Sequence, residues 1–111
     1  MICRNLTIPR KTTKIFELKF RKGNYYQNIT DWTFYFVAKE KMDDPDTGAL
    51  ITKEVTVHID PTHGKTIIQL YPTDTDISCK NYYYTIDYLD DSGNEGVLFW
   101  GRLKIAKKVR D

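Results

Sequence analysis

Apolar and polar residues alternate with a period of two along much of this chain, a pattern typical of strands with one buried face. The first two clear examples are residues 14–20 and residues 31–40. In both, aromatic residues dominate the apolar side. The inward set predicted for these two segments is Phe16, Leu18, Phe20, Trp32, Phe34, Phe36 and Ala38.

Four further segments extend the pattern. In residues 51–60 Lys53 interrupts the alternation, so the regular part of the strand is expected to begin after Lys53. In residues 97–106 Gly101 is a plausible bulge that shifts the phase of the inward side chains. The inward residues predicted for the four segments are Ile51, Val55, Val57, Ile59, Ile68, Leu70, Tyr82, Tyr84, Ile86, Tyr88, Leu103 and Ile105.

Turn signals separate these segments. They are Asp44-Pro45 with Thr47-Gly48, then Pro61 with Gly64, then the cluster Asp91, Gly93 and Asn94. Residues 1–12 are expected to form an edge strand or a basic N-terminal arm, and residues 107–111 a basic C-terminal tail. About seven strands without a convincing helix predict one all-β domain over residues 1–111, a sandwich or a small barrel.

Composition limits the class of protein and its expected location in the cell. The 111 residues are 41% hydrophobic and 29% charged, as in ordinary globular domains. No apolar run approaches the ~20 residues that a membrane helix needs. The start has no apolar signal region, which predicts synthesis in a cytoplasm. Two distant cysteines, Cys3 and Cys79, are then expected as free, buried thiols, with a disulfide as the alternative.

Charge is distributed unevenly. Residues 1–22 hold seven Lys or Arg and one Glu, a net charge of +6, and residues 102–111 hold five and one Asp, a net charge of +4. The remaining residues, 23–101, carry a net charge of −8. One interpretation is a pair of terminal arms that dock on an acidic neighbour or on nucleic acid. The other, which we favour, is that the first and last strands lie side by side with solvated charges.

Catalytic and metal-binding patterns are weak. His58 and His63 lie across a predicted turn, with no third ligand near in sequence. The acidic clusters "DDPDTG" and "DDSGNE" lack the ligand spacing of a calcium loop and are explained by turn chemistry. Neither a Ser/His/Asp order nor a Gly-rich phosphate loop occurs. The sequence therefore predicts a protein that is not an enzyme, with no cofactor, metal or small-molecule substrate.

The tyrosine run "YYYTIDYL" permits two interpretations. Stacked tyrosines could bind sugars or bases. Alternation opposes a continuous platform, because Tyr82 and Tyr84 share one face while Tyr83 takes the other. A buried tyrosine after the corner "PTDTD" is also a device of sandwich domains, in which its hydroxyl bonds back to nearby backbone. We favour the second interpretation and expect Tyr83 to face outward.

A family resemblance rests on an ordered set of segments over residues 32–106. These are the alternating strand that ends in Ala-Lys, "MDDPDTGALITKEV", "IDPTHGKTIIQLYPTDTDI", "YYYTIDYLDDSGN" and "GRLKI". The set resembles the small immunoglobulin-like domains of phage tail and baseplate proteins, most closely the N-terminal domain of the phage baseplate upper protein. Residues that carry the match are Pro72, Asp74, Thr75, Tyr83, Tyr84, Ile86, Asp87, Asp91, Gly93, Asn94, Gly101, Leu103 and Ile105.

The resemblance implies an immunoglobulin-like antiparallel β-sandwich that serves as a structural or assembly protein of a bacteriophage, in the tail, baseplate, head–tail junction or capsid. The expected partners are other virion proteins in a symmetric assembly, without membrane or nucleic acid, and the expected location is the virion. Alternatives are a carbohydrate- or cell-surface-binding sandwich and an OB-like barrel that binds single-stranded nucleic acid. The candidate protein-contact residues are Tyr35, Tyr83, Trp100, Arg10, Lys11, Lys107 and Lys108.

Overall fold

The structure, a computed structural model, describes residues 2–41, 43 and 48–109. The turn predicted at Asp44-Pro45 and Thr47-Gly48 therefore lies largely outside the described residues. A 3-10 turn spans Pro61–His63. The strands are β1 (Ile2–Cys3), β2 (Leu6–Pro9), β3 (Lys14–Lys19), β4 (Arg21–Lys22), β5 (Tyr25–Tyr26), β6 (Thr33–Lys39), β7 (Ile51–Val55), β8 (Lys65–Leu70), β9 (Asn81–Leu89) and β10 (Glu95–Ala106).

Two sheets and a small hairpin contain these strands. The larger sheet has the order β1-β10-β9-β6-β7, and β2 continues beside β10 after β1. The smaller sheet is the antiparallel pair β3-β8, and β4-β5 form the hairpin. Both β1 and β2 run parallel to β10, so the sandwich is antiparallel except at this edge. Seven of the described strands are four residues or longer, in agreement with the predicted seven.

Aromatic rings join the two sheets. Phe16 of β3 stacks on Phe36 of β6 with ring centroids 5.5 Å apart, and Phe36 stacks in turn on Tyr84 of β9 at 5.6 Å. Phe20 stacks on Phe34 at 5.2 Å. Burial of such rings is the main favourable term in a domain of this size. The inward faces predicted for β3, β6, β8 and β9 are confirmed.

The arrangement is that of an immunoglobulin-like sandwich, in which a two-sheet core is closed by a tyrosine at the corner before a central strand. Here Tyr82, the second residue of β9, is fully buried, and its hydroxyl donates to the Ser78 carbonyl at 2.6 Å. Burial raises the pKa of Tyr82, so the hydroxyl stays protonated and able to donate. The corner interpretation of "PTDTD" followed by a buried tyrosine is thus confirmed.

Replacing Tyr82 with phenylalanine is expected to remove this bond and keep the ring. The free energy of unfolding should fall by about 0.5–1.5 kcal/mol, the net contribution of one such hydrogen bond. Urea denaturation would measure it. The control is Tyr83→Phe, on the opposite face, which should change stability by less than about 0.5 kcal/mol. Equal effects of the two variants would contradict the structural role of the Tyr82 hydroxyl.

The corner is also tied to the start of the chain. Thr75 is fully buried, and its hydroxyl donates to the Thr12 carbonyl at 2.9 Å and accepts the Thr12 N–H at 3.0 Å. Asp74 accepts the Tyr71 N–H and pairs with Lys53 at 2.8 Å. These bonds fix the corner to the β2–β3 connection and to the edge strand β7.

The prediction for residues 51–60 is wrong in its boundaries. The strand spans Ile51–Val55 and includes Lys53, whereas Val57 and Ile59 are exposed. After Val55 the chain leaves the sheet and His58 turns inward, with Nε2 2.7 Å from the Trp32 carbonyl and Nδ1 2.8 Å from the Thr66 hydroxyl. The inward residue of this segment is therefore a histidine bonded at both ring nitrogens, and alternation had placed it on the face opposite Val57 and Ile59.

The bulge in β10 lies at Leu98, not at the predicted Gly101, since the register with β9 shifts between Val97 and Phe99. Gly101 has a different reason to be glycine. A Cβ there would lie 2.3 Å from the Arg4 carbonyl oxygen, where the N-terminal segment passes from β1 to β2. The inward placement of Leu103 and Ile105 is confirmed.

Both cysteines are free and exposed, so their predicted burial is wrong. Cys3 lies on the edge strand β1, and Cys79 lies in the loop just before β9. Cys3 is outside the core because β1 pairs only with β10 at the edge of the sheet and contributes no buried residue, and Cys79 lies in an exposed loop.

The turn between β9 and β10 is organised by Asp90. Its carboxylate accepts the N–H groups of Ser92 at 2.9 Å and Asn94 at 2.8 Å. Backbone and side-chain hydrogen bonds from Asn94 hold the pKa of Asp90 below its ordinary value of 3.8. The cluster "DDSGNE" is therefore a hydrogen-bonded turn.

This bonding gives a pH prediction. Since the pKa is depressed in the folded state, the stabilisation is complete above the pKa of the unfolded chain and is lost as the pH falls through the folded value. A carbon-detected NMR titration should place the Asp90 midpoint below 3.8 in the folded protein and near 3.8 in urea. The same midpoint in both states would contradict the bonding described.

Candidate interaction surface on the larger sheet

The face of the larger sheet that points away from the core is here called the outer face. It is built by the residues of β6, β7, β9 and β10 that alternate with the core residues. Neither β3 nor β8 covers it, because that pair packs on the opposite side. Its members are Thr33, Tyr35, Val37, Lys39, Thr52, Glu54, Asn81, Tyr83, Thr85, Asp87, Leu89, Glu95, Val97, Trp100, Arg102 and Lys104.

Strand register orders the outer face into rows that run across the strands. The central row is Thr52, Val37, Thr85 and Trp100, which lie side by side on β7, β6, β9 and β10. A shallow depression of about 140 Å³ lies here, and its walls include Val37, Tyr83 and Trp100. The central row itself carries no charged side chain.

Charges are sorted between the two ends of this face. On one side of the central row stand Lys39 and Arg102, with Tyr83 between them, followed by Lys104 beside Asn81. The other side carries Glu54, Asp87 and Glu95. None of the outer-face residues on that side is Lys or Arg. Because rows two residues apart are separated by about 6.7 Å, the basic and acidic ends are well resolved from one another. The outer face is therefore polarised along the strands.

Three predicted contact residues fall on the outer face. Tyr35, Tyr83 and Trp100 are all half-buried, and each comes from a different strand. They occupy successive rows, with Tyr83 in the basic row, Trp100 in the central row and Tyr35 in the acidic row. Their outward placement is confirmed, and their role in contacts stays a prediction. This stepped arrangement differs from the continuous aromatic platform that a sugar would stack on.

The other four predicted contact residues meet at one end of the sandwich. Parallel pairing of β2 with β10 places Pro9 beside Ala106, so Arg10 and Lys11 emerge next to Lys107 and Lys108. The expectation that the first and last strands lie side by side is confirmed.

Arg10 and Lys11 are held in place by the fold. Arg10 pairs with Asp76 at 2.7 Å, and its N–H donates to the Ala106 carbonyl at 2.8 Å. Lys11 has a φ of 58° and donates its N–H to Thr75. These two residues therefore form part of a fixed corner. Lys107 is exposed and Lys108 half-buried, and both follow the end of β10.

The β4-β5 hairpin is an exposed aromatic feature that sequence reasoning missed. Tyr25 and Tyr26 form its second strand and are 79% and 52% exposed. The Arg21 guanidinium lies over the Tyr26 ring at 4.9 Å, and the His63 ring meets the same ring edge-on at 5.0 Å. Residues 21–31 contain more polar than apolar residues, so the period-two pattern does not extend through them. The adjacent pair Tyr25-Tyr26 beside Gly23 was the available signal for a short hairpin.

The described residues include no group of three His, Cys, Asp or Glu side chains placed to hold a metal ion. His63 pairs with Asp60 at 2.9 Å, and His58 is engaged in the core, so the two histidines do not share a site. Within the same part of the chain, no helix has the length and apolar character to cross a membrane.

Comparisons with known proteins leave the family open. The chain matches no family model, and a search of curated proteins finds no match.

Proposed function

We propose that this chain is a non-enzymatic structural or assembly protein of a bacteriophage particle, which acts through protein–protein contacts made by the outer face. The observation that supports the contact role is the uncovered outer face with its half-buried Trp100, Tyr35 and Tyr83. The phage assignment is supported by the ordered resemblance over residues 32–106 and by the sandwich fold that it implied.

The physical basis is a rigid sheet that presents fixed side chains. Trp and Tyr are enriched among residues that dominate binding energy, especially near the centre of an interface. Trp100 occupies the central row, and charged residues flank it at both ends. A surface of this kind suits a particle in which the same contact is repeated by symmetry.

Co-expression with the proteins encoded by adjacent genes tests this proposal. We expect one virion protein to co-purify in a fixed ratio with the tagged chain, and Trp100→Ser to release it. The control is Tyr25→Ser, which alters an exposed aromatic residue on the hairpin, away from the outer face. If no virion protein is retained, or if both variants retain it equally, the proposal is wrong.

A further inference from the structure

The polarity of the outer face makes it complementary to itself. Two copies can meet face to face about a two-fold axis that lies in the plane of the face and runs along the central row. This operation reverses the strand direction, so the basic end of one copy meets the acidic end of the other. It also keeps position across the sheet, so that each strand faces its own counterpart.

We propose that the occupant of the outer face is a second copy of this chain, in a symmetric dimer that buries Trp100 against its counterpart. This inference rests on the proposed function, because it names the partner of the same surface; a virion protein whose retention depends on Trp100 is then held by the dimer. The two-fold operation places Lys104 of one copy opposite Glu95 of the other, twice in each dimer. A two-fold interface requires such a self-complementary patch.

The strand register supports the pairing of Lys104 with Glu95. Lys104 lies two rows to one side of the central row, beside Asn81, and Glu95 lies two rows to the other side, beside Leu89. Both belong to β10 and both are exposed. Lys104 and Glu95 each lie two rows from Trp100, on opposite sides. The axis that places the two Trp100 side chains against each other therefore also places Lys104 of one copy opposite Glu95 of the other. Closer to the axis, Arg102 of one copy faces Val97 of the other, next to Asp87 on the neighbouring strand.

Size is compatible with a weak but specific dimer. Four strands at about 4.8 Å spacing and eight residues of length give a face of roughly 19 by 27 Å. That is about 500 Å² in projection, and side-chain relief increases the accessible area towards the ~800 Å² per partner of standard interfaces. We therefore expect a dissociation constant in the micromolar range and a dependence on salt, because the matched charges are solvent-exposed.

Sedimentation velocity over protein concentrations from about 1 μM to about 1 mM tests the inference. The wild-type chain should form a dimer that weakens at high salt. Lys104→Glu alone and Glu95→Lys alone should each weaken the dimer at least about tenfold, since each variant places two like-charged pairs in the interface. Trp100→Ser should abolish association. Lys22→Glu on the hairpin should leave it unchanged.

The decisive experiment mixes the two single variants. In a heterodimer of Lys104→Glu with Glu95→Lys, both reciprocal pairs are again opposite in charge. Association should return to near the wild-type value, which also shows that both variants are folded. A monomeric wild-type chain at all concentrations, or a mixture that stays monomeric, overturns the inference.

The proposed function fails separately from this dimer. If the chain is monomeric but Trp100 still governs retention of a virion protein, the outer face binds that protein and only the second copy is excluded.

Discussion

Replacement of Phe36 with alanine is expected to lower the free energy of unfolding by about 3–5 kcal/mol, which is the usual cost of removing a fully buried aromatic ring. Phe36 is 0% exposed and stacks between Phe16 of the smaller sheet and Tyr84 of the larger one. Its loss would leave a cavity at the point where the two sheets meet. Since domains of this size are stable by only about 5–15 kcal/mol, the variant should be close to unfolding at physiological temperature.

Urea or thermal denaturation measures this effect, and two controls show its origin. Phe36→Leu keeps most of the buried volume and should cost clearly less than the alanine variant. Val37→Ala removes a smaller side chain from the outer face of the same strand and should also cost less. If Phe36→Ala destabilised the protein no more than Val37→Ala, the outer face would be packed as tightly as the core, and the sandwich described here would be wrong.

Period-two alternation predicted the core because burial of apolar side chains and strand geometry favour the same placement. In β6 and β9 every predicted inward residue is buried or packs against the core. Alternation failed at Val57 and Ile59, which are exposed, while His58 between them is hydrogen-bonded to Trp32 and Thr66. The residues next to His58 in the sequence do not indicate these bonds, because the partners lie 26 and 8 residues away.

The candidate surface was predictable only in part. Outward placement of Tyr35, Tyr83 and Trp100 follows from alternation within single strands. The charge polarity does not, because it depends on which strands are neighbours and in which register. Lys39 and Arg102 are 63 residues apart in the chain but flank the same tyrosine in the sheet. Net charge by segment located the basic ends of the chain and could not show that β10 carries a basic and an acidic end on one face.

The same topology explains why the basic ends need not act as flexible arms. Parallel pairing brings Arg10 beside the end of β10, where Asp76 and the Ala106 carbonyl bind it. Like charges at the two termini are thereby concentrated at one end of the sandwich, and Lys104 at the basic end of the outer face lies on the strand that leads there. An acidic partner surface would therefore meet a fixed basic region, which costs less ordering entropy than two mobile arms.

The second large effect is expected at Gly64. Replacement with alanine should lower the free energy of unfolding by about 2–4 kcal/mol, because two costs add. The residue ends the 3-10 turn with a φ of 71°, a left-handed conformation that costs about 1 kcal/mol or more with a side chain. A Cβ would also lie 2.3 Å from the Phe20 carbonyl oxygen and 2.8 Å from that of Gln27.

This contact joins the turn to the hairpin region. The Phe20 N–H donates to the Gly64 carbonyl at 2.8 Å, and the Phe20 carbonyl accepts the Gln27 N–H at 3.2 Å. A methyl group at Gly64 must push these backbone segments apart, since neither neighbour is a flexible side chain. The strain should spread to β4 and β5, which lie between Phe20 and Gln27.

Gly93→Ala is the matched control. Gly93 also has a positive φ, 86°, but a Cβ there meets no atom within 4 Å among the described residues. Gly93→Ala should therefore lower the free energy of unfolding only by the conformational cost of about 1 kcal/mol. Paired urea denaturations of the two variants isolate the steric contribution, and amide hydrogen exchange should show lost protection at Phe20 and Gln27 in Gly64→Ala alone. Equal destabilisation by both variants would mean that the backbone at Gly64 can yield, and that the turn is not packed against Phe20 as described.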